Sequence, residues 1–221
     1  MKTGLKAFSI LGFILTSRFT GAGQSAADGA SERSVILTIH VSNRTEVDPM
    51  TLIQAERTAT GIFKKAGVES RWVYPALPSA GKQANSGYKG AFPLSHVQVT
   101  ILPSLMSNRL GLPYKLPDDV MGLAPGSGPE RQSVYAFYDR VEAFAVKHIA
   151  DTHADAAQIL GHVIAHEIGH LLLNDQTHSA TGIMRGPWNL WDVQNASYGH
   201  LLFTTRQAEA IRAEVSRRFR K

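Results

Sequence analysis

Two periodicities take turns along this chain. From Ser34 to Val41 (SVILTIHV) β-branched and aliphatic residues follow a loose two-residue alternation, which predicts a strand buried on both faces. Asp48-Pro49 then supplies a helix cap with proline in the first turn. Leu52, Ala55, Ala59, Ile62, Phe63 and Ala66 recur at helical spacing until Gly67 stops the run. A second short strand is predicted over Glu69 to Tyr74, ended by Pro75. Residues Pro75 to Pro93 are rich in Gly, Ser, Pro, Lys and Asn and show no period, so they read as a loop.

His96 to Leu102 alternates cleanly, with Val97, Val99 and Ile101 on one face. That predicts the third strand. Asp119 to Ala124 offers a fourth, short one, and Ser133 to Tyr138 a fifth. The segment Asp139 to Ala150 fits either an extension of that strand or the start of a helix. Thr152 with Asp155 resembles a capping box, and Ala156, Ile159, Leu160, Val163 and Ile164 form an apolar stripe running into His166. A last amphipathic helix is predicted over Thr205 to Arg218, with Ala208, Ile211 and Val215 on its inner face.

The amino terminus has a different character. Lys2 and Lys6 precede a nine-residue apolar run, Ala7 to Leu15, and small residues follow up to Ala27. This is the layout of a secretory signal peptide, and the run is too short to span a bilayer. Residues 1–27 are therefore expected to be a signal peptide and 28–221 a single domain, secreted or periplasmic, with no stable membrane association after cleavage. Loss of Lys2, Lys6 and Arg18 lowers the formal charge from +5 to about +2, so the basic balance belongs partly to the leader. Arg212, Arg217, Arg218, Arg220 and Lys221 gather at the other end, where they are expected to form a solvated helix terminus that complements the helix dipole. Without interleaved aromatics they do not describe a nucleic-acid surface. Cysteine is absent, which removes disulfides, thiol nucleophiles and cysteine zinc sites from consideration.

Histidine and carboxylate must then carry any metal chemistry, and they are concentrated in one place. His166 and His170 stand four apart on a helix, so both can present a ring nitrogen to one ion. Glu167 follows the first histidine, where its carboxylate can hold a water beside the metal and act as general base. His162 lies one turn earlier on the same stripe and is expected to be a core histidine. His40, His96, His148, His153 and His200 have no ligand spacing.

With these residues in view, the chain resembles the metzincins, the zinc peptidases that include the matrixins and astacins. His166, Glu167 and His170 match their H-E-x-x-H, Gly182-Ile183-Met184 looks like their methionine turn, and His178-Ser179 looks like the third ligand with its small neighbour. The resemblance implies an α+β, zincin-like fold in which a mixed, mostly five-stranded twisted sheet packs on two long helices. A small carboxyl-terminal subdomain would hold the methionine turn and a final helix.

It also implies Zn2+ held by His166, His170 and His178, catalysis by Glu167, and a peptide or protein substrate paired along the strand near Val120 to Ala124. Two departures stand out. His178 lies eight residues after His170 where the family histidine lies six, at Gln176, and Leu173 replaces the family glycine. The longer turn is accommodated if the helix runs to Leu173 and Asn174 adopts the left-handed conformation. Asp175, Glu209 and Glu214 remain alternative ligands. Secondly, Gly186 stands where some metzincins carry a tyrosine, for which Tyr198 would substitute only if its loop folds back. Trp188 and Trp191 either line the substrate pocket or pack against the last helix. Rival readings are a non-catalytic binding module with a vestigial metal site and a zinc hydrolase acting on a cell-wall amide.

Overall fold

The computed structural model describes residues 36–74, 93–110, 116–126 and 131–220. The expected leader and most of the Gly/Ser-rich loop lie outside them. Strand β1 (Ile36–Asn43) buries Leu37, Ile39 and Val41, together with Thr38. Helix α1 (Pro49–Lys65) begins where Asp48 accepts hydrogen bonds from the backbone of Met50 and Thr51, and buries Ala55, Ala59, Ile62 and Phe63. Its end is set by Gly67, whose φ of +76° admits glycine readily and other residues only under strain.

Strand β2 (Glu69–Val73) returns parallel to β1, and β3 (His96–Leu102) lies parallel on the other side of β1. The short β4 (Gly122–Leu123) and β5 (Ser133–Phe137) complete a five-stranded sheet in the order β2-β1-β3-β5-β4, with only β4 antiparallel. The expected mixed α+β sheet is therefore present, and β4 is one of its two edges. Val97, Val99 and Ile101 all point into the core, as their alternation requires.

Asp139 to Ala150, left open between strand and helix by the sequence, lies within helix α2 (Tyr138–Thr152). Its inner face is Val141, Ala145 and Thr152, and His153 ends it in the left-handed conformation at φ +58°. Thr152 thus belongs to the preceding helix, which corrects the expected capping box. The cap of helix α3 (Ala156–Leu173) is Asp155, paired reciprocally with Gln158.

Apart from Gln158, every residue of α3 from Ala157 to Leu172 is buried. A helix apolar on all sides belongs inside a protein. Here it lies against α1, β5 and α2, and against a further helix, α5 (Thr205–Phe219). Close packing with α1 depends on Gly161, where a Cβ would fall 2.6 Å from the carbonyl oxygen of Ala55. Between α3 and α5 a short helix, α4 (Leu190–Ser197), starts on a capping box of Asn189 and Asp192 that sequence periodicity had not marked. The carboxyl-terminal arginines are not uniformly solvated: the side chain of Arg218 is wholly buried against Glu214.

Candidate metal and active site

His162, His166, Glu167 and His170 are the only ionisable side chains on the buried part of α3. Burying such groups without partners costs several kcal/mol each, so their surroundings must compensate or be served by a ligand. The partners are unequal. His166 Nδ1–H donates to the carbonyl of Ile183 at 2.7 Å, and His170 Nδ1–H donates to the carbonyl of Asp175 at 2.7 Å. A carbonyl oxygen can only accept, so both rings carry their proton on Nδ1. Burial also lowers the basicity of both, that of His166 to a pKa of about 3, which keeps the rings neutral.

Each Nε2 is then a bare lone pair, and the two face one another at 3.0 Å. Two lone pairs at that distance repel unless a cation lies between them. His178 completes the group: its ring centroid is 5.3 Å from that of His166 and 5.1 Å from that of His170, and the candidate ligand atoms of the three lie within 4.8 Å of one another. Three imidazole nitrogens are a donor set suited to zinc.

The two-residue displacement of His178 is absorbed locally. Helix α3 runs to Leu173, and Asn174 caps it in the left-handed region at φ +51°. Asp175 then turns the chain, its carboxylate accepting from the backbone and hydroxyl of Thr177 at 2.8 and 2.7 Å. Those bonds hold the Asp175 carboxyl below its ordinary range and direct it to the loop, while its carbonyl orients His170. Glu214 is engaged with Arg217 and Arg218 at 2.7 Å, and neither it nor Glu209 joins the histidine cluster among the described residues.

Beneath the histidines the chain from Ser179 to Met184 closes on itself, with the Ser179 N–H donating to the Met184 carbonyl at 2.9 Å. Gly182, at φ +76°, lets this turn pass the carbonyl of Leu202. Met184 is buried against Gly169, where a Cβ would come within 2.5 Å of its Sδ. The glycine between His166 and His170 is what lets the thioether approach α3. Past Met184, Gly186 lies over His178, and a Cβ there would fall 2.8 Å from the imidazole.

A cleft of about 420 Å³ opens above the three rings. Leu116, Val120, Met121 and Leu123, in β4 and the chain leading into it, line the cleft together with Arg185, Pro187 and Trp188. Trp188 stands edge to face with His166 at 5.8 Å and donates from Nε1 to the Ile183 carbonyl, so it is part of the pocket. Trp191 and Tyr198 are exposed and line no part of this cleft.

Glu167 also opens into the cleft. Burial pushes its carboxyl up to about 8, opposed by the nearby positive charge of Arg131. A divalent cation beside it would draw that value down again. Sequence spacing had not pointed to Arg185 or Gln176 as cleft residues. Gln176, with its amide oxygen turned toward Arg131, accepts from both guanidinium nitrogens at 2.7 and 3.1 Å. The signal for Arg185 was its position next to Met184, a lone cation beside the presumed floor of the site.

No protein-family model and no curated protein matches the sequence. Comparison with solved structures finds likeness to the crystal structure of archaemetzincin from Methanopyrus kandleri, with a TM-score of 0.48 and 14% sequence identity, covering 83% of this chain and 98% of that one.

Proposed function

We propose that the chain is a zinc-dependent peptidase, secreted or periplasmic, that hydrolyses peptide bonds in the cleft beside β4. The observation that carries this reading is the pair of unprotonated Nε2 atoms of His166 and His170, facing at 3.0 Å with His178 beside them. Zinc held by these three residues would supply a Lewis acid and a water of lowered pKa. The rest falls to the chain. Glu167, buried in the same cleft, accepts a proton from the attacking water and returns it to the leaving amine nitrogen. As an edge strand of the sheet, β4 offers backbone groups alongside which an extended peptide can lie. The apolar walls exclude bulk water from the reacting carbonyl, which strengthens every charge interaction there.

A mixed peptide library incubated with the zinc-loaded chain, with and without chelator, and analysed by mass spectrometry tests the reading. Chelator-sensitive cleavage is expected, and Glu167→Gln should abolish it while retaining zinc. Hydrolysis of a cell-wall amide in place of peptides would transfer the same site to another substrate. Zinc binding without any hydrolysis would leave only a binding module.

A further inference from the structure

We propose that Arg185 makes the cleft selective for substrates that present a carboxylate next to the three-histidine centre, an inference that rests on the peptidase reading above. Arg185 follows Met184 directly, and its own N–H donates to the Gly182 carbonyl at 3.0 Å, so its backbone belongs to the closed turn. Its neighbour Gly186 touches the His178 ring. Arg185 is thus among the residues that line the cleft, next in sequence to the glycine that lies over the third imidazole.

Around it the lining is mostly apolar. Pro187, Trp188, Leu116 and Val120 lie in the same lining, and the remaining charged residues of the cleft are Glu167 and the exposed Asp119. A cation in such a place needs an anion, and Arg185 has only part of one. Asp192 lies 3.5 Å from Nη1, too far for a strong hydrogen bond. That aspartate is 4% exposed, and its Oδ2 already accepts the backbone N–H of Asn189 at 2.9 Å. It anchors the guanidinium without saturating it.

Five N–H donors in a planar fork match a carboxylate, and the side chain remains 37% exposed. A peptide brings a carboxylate either as an Asp or Glu side chain or as its own carboxyl terminus. The plain alternative is a staple, in which Arg185 serves only to tie the turn to α4 through Asp192.

Binding separates the two without requiring turnover. The zinc-loaded Glu167→Gln chain is titrated calorimetrically with one peptide sequence in four forms: Glu or Gln beside the scissile bond, each with a free or an amidated carboxyl terminus. One acidic form should bind roughly ten-fold or more tightly than its neutral counterpart, and which form does so identifies the source of the carboxylate. Arg185→Gln should bring the forms level. Arg185→Lys keeps a cation for Asp192, and hence the staple, but lacks the fork, so it should lose part of the preference with the fold intact. Equal binding of acidic and neutral forms, or a preference that survives Arg185→Gln, overturns the inference. Peptide hydrolysis by the unmutated chain is read separately. Cleavage without acid preference defeats the role of Arg185 and leaves the peptidase standing, whereas Arg185-dependent acid binding without any cleavage does the reverse.

Discussion

Gly122 is pressed against Glu167: a Cβ built on Gly122 would lie 2.6 Å from both Cγ and Oε1 of that side chain. The edge strand therefore backs the carboxylate as well as bordering the cleft. Gly122 has no left-handed φ, so alanine fits its backbone and only the side-chain collision is new. Gly122→Ala should push Glu167 out of place and lower kcat by about a hundred-fold, the usual consequence of a misplacement near 1 Å. Zinc content and the urea midpoint should change little, because the nearest atoms a Cβ would meet all belong to Glu167 and none to the three histidines. Unchanged kcat in this variant would show that the carboxylate works from another position.

His178 and Asp175 compete on paper for one role and are separated by geometry. His178→Ala should weaken zinc binding by about an order of magnitude or more, since three protein ligands are the minimum for such a site. Asp175→Asn should leave it nearly unchanged, because the asparagine oxygen still accepts from Thr177 and the backbone carbonyl still orients His170. Competition with a chromophoric chelator measures both. The reverse ranking would remove His178 from the ligand set.

Several elements were legible because one local rule dominated each. The strand His96–Leu102 declared itself by alternation, and α1 by Asp48-Pro49 at one end and Gly67 at the other. The histidine pair and Glu167 were legible because helix geometry alone brings them together. Helix α2 was obscured by Val146 and Ile149, which are 75% and 47% exposed and place apolar residues on the wet face. Helix α4 likewise starts with the exposed Leu190 and Trp191. Nothing local could have shown that Gly122 meets Glu167 or that Arg218 runs under α3, because these contacts exist only once distant elements pack. The turn from Asn174 to His178 lies between these cases: its left-handed cap was readable, but the role of the Asp175 carbonyl was not.

Glu214 was a rival ligand in sequence and is a structural anion in the fold. Arg218 donates from Nε to Glu214 at 2.7 Å, from Nη1 to the Arg131 carbonyl at 3.1 Å and from Nη2 to the Leu171 carbonyl at 3.2 Å. The last of these ties α5 to the final turn of α3, one residue from His170. Glu214→Gln leaves a buried guanidinium without its counter-charge and should destabilise the fold by about 3 kcal/mol. Zinc stoichiometry should remain that of the parent. Chemical denaturation read beside metal analysis decides the matter, and loss of zinc from a still-folded variant would return Glu214 to the ligand set.

His162 makes the fold sensitive to acid in a way that can be isolated from the three-histidine cluster. Its Nδ1–H donates to the Gln158 carbonyl at 2.8 Å, its Nε2 has no partner, and the residue is 1% exposed. Burial lowers its pKa to about 4, against about 6.5 in an unfolded chain. Between those two values the unfolded chain binds a proton that the folded chain refuses, so stability rises with pH across the window and is lost as pH falls through it. The full effect is about 3 kcal/mol, with a slope approaching about 1.4 kcal/mol per pH unit. His162→Asn retains a donor near Gln158 but cannot titrate. It should be less stable at pH 7 because of the space it leaves, yet that penalty is independent of pH and cancels from the slope. Urea midpoints measured at pH 7, 6 and 5 on both proteins should therefore converge as the pH falls, while His166, His170 and His178 contribute equally to each. Parallel curves would mean that His162 finds a proton acceptor when charged.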